Sequence, residues 1–97
     1  MFARVATFEG GDLEAIRDVN NEMLANDPGR MPDGLKRVMV LEGDGQRLVI
    51  TFFESREAIA ASEEKWEQLG DEIDESVRGK RVGLASYELI FEMESAS

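Results

Sequence analysis

Seven acids crowd one stretch of this chain: Glu63, Glu64, Glu67, Asp71, Glu72, Asp74 and Glu75. Carboxylates at that density are the right donors for a divalent cation. Their spacing fits the outward face of a helix better, where they would keep the surface solvated, so no metal site is expected. Gly43-Asp44-Gly45 has the composition of a phosphate-binding loop, but it joins two strand-like runs and leads into no helix whose N-terminus could hold an anion. The densest basic cluster, Arg78, Lys80 and Arg81, is too small to form a nucleic-acid footprint. The chain has no histidine and no cysteine. That removes the commonest transition-metal ligands and the usual Ser-His-Asp and Cys-His nucleophile arrangements. No cofactor is expected.

The elements that would position any site can be read from periodicity. Residues 2–9, Phe-Ala-Arg-Val-Ala-Thr-Phe-Glu, read as a first strand stopped by Gly10-Gly11. From Asp12, a good N-cap, Leu13, Ile16, Val19, Met23 and Leu24 recur at helical spacing up to Asn26. Both prolines fall in 27–34, which reads as a loop. Residues 35–42 and 47–54 form two apolar runs around Gly43-Asp44-Gly45-Gln46, the signature of a hairpin. Ser55 caps a second helix whose stripe is Ile59, Ser62, Trp66, Leu69, Ile73 and Val77, with a kink or restart expected at Gly70. A last strand is expected from Arg81 to Met93. The fold class is α+β in the order βαββαβ, a four-stranded antiparallel sheet with two helices on one face, within one domain spanning 1–97.

The hairpin is apolar on both faces. Val38 and Val40 alternate with Met39 and Leu41, and Leu48, Ile50 and Phe52 alternate with Val49, Thr51 and Phe53. Two helices cover one face, so the other wants a partner, most economically an identical sheet about a two-fold axis. A homodimer through the sheet face is expected, with Val49 and Phe53 placed at that interface. The net charge of -10, from 21 acidic and 11 basic residues, argues against DNA or RNA as partner. No apolar run approaches the roughly 20 residues of a membrane span, and no leader pattern opens the chain, so no membrane partner and a cytoplasmic location are expected.

This element order, the hairpin Val38-Met39-Val40-Leu41 to Leu48-Val49-Ile50-Thr51, and the strand-to-helix entry Phe52-Phe53-Glu54-Ser55-Arg56-Glu57-Ala58 resemble the dimeric α+β barrel superfamily. Within it, the likeness is to the antibiotic-biosynthesis-monooxygenase-like and stress-responsive small proteins, with a ferredoxin-like protomer. The resemblance implies a pocket between sheet and helices. Some members use it for cofactor-independent oxygenation of phenols, others for haem breakdown. The haem branch relies on histidine, which this chain lacks.

The resemblance also suggests which groups face the pocket: Asn20 on the first helix, Trp66 on the second, Tyr87 on the last strand, and Arg4 on the first strand as an anion partner. Asn20 could hold a phenolate or carbonyl oxygen, and Trp66 could offer its indole N–H and a stacking face. Each has a plainer role. Trp66 would be buried by its stripe position alone, Tyr87 suits a packed strand aromatic, Asn20 a solvated helix position, and Arg4 an ion pair. Met23, Met31 and Met39 read as adaptable packing. The expected function is a small-molecule pocket for an apolar or aromatic ligand, with monooxygenase activity on a phenolic substrate. The alternative is a non-catalytic dimeric ligand-binding or stress-associated module.

Overall fold

The computed structural model describes residues 1–26 and 32–94, apart from the side chains at 13, 20 and 23–26. Its elements are β1 (Phe2–Glu9), α1 (Leu13–Asn26), β2 (Leu35–Gly43), β3 (Gln46–Phe53), α2 (Arg56–Asp71), α3 (Glu75–Arg78) and β4 (Lys80–Glu88). The strands form one antiparallel sheet in the order β2-β3-β1-β4. This is the ferredoxin-like α+β arrangement. Most of the loop expected over 27–34 lies outside the described residues.

Local chemistry accounts for the boundaries. The Asp12 carboxylate accepts from the Ala15 amide at 3.0 Å and opens α1, and the Ser55 hydroxyl accepts from the Ala58 amide at 3.1 Å and opens α2. Asp44 and Gly45 both have positive φ, 53° and 75°, so the β2–β3 connection is the two-residue turn that matches strand twist. The second helix does restart: α2 stops at Asp71, and the Asp74 carboxylate caps the single turn of α3 by accepting from the Ser76 amide.

Two glycines lock β1 to β4. Gly79 has φ 79° and ψ -176°, a region essentially closed to other residues, and a Cβ there would sit 2.6 Å from the Glu9 carbonyl oxygen. Gly11 approaches the same corner, beside a 2.9 Å bond from the Asp12 amide to the Val77 carbonyl. The turn after β1 and the turn before β4 therefore touch backbone to backbone.

The register decides which residues face the helices. Phe2, Arg4, Ala6 and Phe8 pair with Phe53, Thr51, Val49 and Arg47 of β3 on the helix side. Val49 and Phe53 therefore do not lie at the face left for a partner, as the alternation alone suggested. Phe53 is fully buried beneath α2 with Ile59, whereas Leu48, Ile50 and Phe52 point to the opposite face with Val5 and Met39. The last strand is also shorter than its composition suggests. It ends at Glu88, and Ile90, Phe91 and Met93 follow it as exposed apolar side chains outside any regular element.

Candidate functional site

The helices do not cover the sheet evenly. Over β1, β2 and the first half of β3 the described residues leave an open cavity of about 1220 Å3. Its apolar wall includes Ala6, Phe8, Ile16, Val40, Val49 and Leu69. The gap explains why Val38 and Val40 stay exposed although they share the helix side of the sheet with Thr51 and Val49. Beside that apolar surface the wall carries eight charged side chains among the described residues, so the cavity is open and mixed in polarity.

The two buried charges on that wall come from β1 and β3. Arg4, only 3% exposed, donates from Nε to Glu63 Oε1 at 2.7 Å and from Nη2 to Oε2 at 3.1 Å. Its guanidinium lies 5.5 Å from the Trp66 ring centroid. Glu63 is thus turned toward the sheet, unlike the outward place its acidic neighbourhood suggested. A second ion pair, Arg17 to Glu42, joins α1 to β2 across the cavity lining. Among the described residues no group of three acids is placed to hold a metal ion.

Arg47 is the group the sequence reading missed. It is 4% exposed, opposite Glu42 in the β2–β3 register, with Phe8 packed against it at 4.7 Å from ring centroid to guanidinium. Its Nη2 donates to the Arg78 carbonyl at 3.1 Å, but Nε and Nη1 are buried with no partner among the described residues. Leaving a buried donor unpaired costs about 1–3 kcal/mol, more when the group is charged. Burial pushes the Arg47 pKa below its ordinary value, and the nearby Glu42 carboxylate opposes that shift. Trp66, on the same cavity wall, also has its Nε1 buried without a partner among the described residues.

Arg4 and Trp66 line the cavity. Asn20 lies on α1 with its side chain outside the described residues, while its neighbour Asn21 is on the lining. Tyr87 is a correction. It pairs with Ala3 rather than Arg4, which places it on the sheet face away from the helices, 59% exposed. The signal that could have found Arg47 was its alternation: it shares a parity with Val49, Thr51 and Phe53, so any register that buries Phe53 against the helices carries Arg47 inward too.

No family model matches the sequence. No curated protein matches it either. Solved structures do. A provisionally assigned antibiotic biosynthesis monooxygenase from Deinococcus radiodurans aligns over 100% of both chains at 14% identity, with a TM-score of 0.55. A variant of MhuD with two manganese protoporphyrin IX molecules bound per active site aligns over 98% of this chain and 100% of its own, at 15% identity and a TM-score of 0.60. Rv0793 from Mycobacterium tuberculosis aligns over 99% and 98%, at 19% identity and a TM-score of 0.56. At these identities the likeness speaks for the backbone and its element order. The chain has the ferredoxin-like fold of the antibiotic-biosynthesis-monooxygenase-like proteins.

Proposed function

We propose that this chain works as a homodimeric small-molecule-pocket protein that oxygenates an aromatic phenol without a cofactor. The observation that carries the reading is the open cavity between sheet and helices, whose wall includes Arg47 and Trp66, two residues with buried donors that have no partner among the described residues. A phenol that loses its proton is electron-rich enough to react with dioxygen directly. Conversion of a ring-activated CH2 to C=O with O2 releases one water, and the substrate supplies all the electrons, so no external reductant is needed. Buried positive charge and N–H donors favour the anionic form through which such a reaction passes. The Deinococcus radiodurans neighbour supports the activity by fold analogy only.

The dimer reading rests on the opposite face of the sheet. Leu48, Ile50, Phe52, Met39 and Leu41 leave apolar surface there with no covering element among the described residues. A second copy brings the same surface, and a two-fold axis pairs it with itself.

Mass spectrometry of the natively purified protein tests for a retained ligand, and oxygen uptake with a panel of polycyclic phenols tests the chemistry. Uptake matching phenol consumed, and reduced in Trp66→Phe, supports the oxygenase. A retained ligand with no oxygen uptake by any phenol reduces the proposal to a ligand-binding module.

A further inference from the structure

The chain is strongly acidic, yet five of its eight arginines, Arg4, Arg17, Arg47, Arg78 and Arg81, line the cavity. Among the described residues three acids join them there: Glu42, Glu67 and Asp71. Arg4 is matched from outside the lining by Glu63, and Arg17 holds both Glu42 oxygens. Arg78 acts on the Asp74 carboxylate from outside the lining, which leaves Arg47 and Arg81 against Glu67 and Asp71 among the described residues. Of these two arginines only Arg47 is buried, and its Nε and Nη1 have no partner among the described residues.

We infer that the cavity is built for a monoanion, the carboxylate of an apolar organic acid, which Arg47 recognises. A carboxylate arrives already ionised near neutral pH, so it can pair with Arg47 on binding with no proton lost first. The apolar part of the acid would lie on Val40, Val49 and Leu69. A guanidinium with spare N–H groups, partly desolvated, suits a carboxylate because charge-assisted bonds strengthen where water is excluded. The inference rests on the pocket reading above but not on the oxygenation, and it names a class of ligand for the same site.

Titration calorimetry of the wild-type protein with 2-naphthoate, its neutral isostere 2-naphthamide and the neutral phenol 2-naphthol, at about pH 7, tests it. The naphthoate is expected to bind at least about ten-fold more tightly than either neutral probe, the equivalent of one charge-assisted hydrogen bond. In Arg47→Met the preference for the naphthoate over the amide should be lost. Equal affinity for all three probes in the wild type overturns the anion site and leaves the pocket standing. Binding of none of them overturns the pocket reading and the anion site together. The wild-type comparison decides the matter even if Arg47→Met does not fold.

Discussion

Arg4 and Glu63 are 59 residues apart in sequence, yet they form a two-bonded ion pair, at 2.7 and 3.1 Å, that fixes α2 over β1. The pair sits where a buried guanidinium, the Trp66 ring and the cavity meet. It therefore acts on packing and on site shape together.

Removing the acid should show both effects. Glu63→Gln keeps the shape and loses the charge, leaving the Arg4 guanidinium buried and unmatched. Because the Glu63 side chain is 38% exposed, water repays part of the loss, and a destabilisation of about 1–2 kcal/mol is expected. Urea unfolding should show a lower midpoint at unchanged slope. An unchanged midpoint would mean the pair is ornamental.

The two parities of β3 should give different phenotypes. Ile50→Asp places a charge on the face away from the helices, and sedimentation should then report the 10.8 kDa chain mass instead of twice that value. Val49→Asp places it in the cavity wall and should leave the dimer mass intact. Deleting 89–97 removes Ile90, Phe91 and Met93, three exposed apolar side chains, and should weaken the dimer as well. A wild-type monomer at micromolar concentration refutes the assembly outright.

Gly79→Ala should be costly for reasons of backbone alone. The residue sits at φ 79° and ψ -176° against the Glu9 carbonyl, so the added methyl meets both torsional strain and a backbone clash. A loss of about 1–3 kcal/mol from the torsion, with the clash added, lowers the melting temperature by several degrees. Gly43→Ala, where no atom stands within 4 Å and φ is not positive, is the control and should melt close to wild type.

Acid should loosen α3 through its cap. Bonds from the Ser76 amide, then from its side chain, hold the Asp74 carboxyl below its ordinary 3.8, with Arg78 adding in the same direction. A depressed folded-state pKa contributes stability that is fully present above the unfolded value and lost as pH falls through the folded one. Carbon-detected NMR titration should therefore place the Asp74 midpoint below that of a solvated aspartate. In Ser76→Pro, which removes the amide donor, it should return toward the ordinary value. A wild-type midpoint at or above the ordinary one contradicts the cap.

Much of the architecture was legible because it depends on short-range pattern. Alternation over Phe2 to Glu9 and the turn at Asp44-Gly45 each carry their own physical signal, and both elements lie where that signal puts them. The end of β4 was not legible. Leu89 to Met93 are as apolar as a strand, so their types do not mark its end; the last paired residue of β4, Glu88, sits opposite Phe2, the first residue of β1, with one further backbone bond from the Leu89 amide to the Met1 carbonyl.

The candidate site divides in the same way. Helical spacing was enough to turn Trp66 toward the sheet, since a stripe position at i, i+3 and i+4 faces the core whatever the partner. It was not enough for Tyr87, Val49 or Arg47, because a period of two names two faces and is silent about which one the helices take. The sequence by itself determined the order of elements, their caps and turns, and the absence of any histidine or cysteine chemistry. Only the tertiary structure decided that Phe53 and its parity partners face inward. That choice draws Arg47 under Phe8 and against the Arg78 carbonyl, and burial there turns an ordinary strand arginine into a cation with unspent donors.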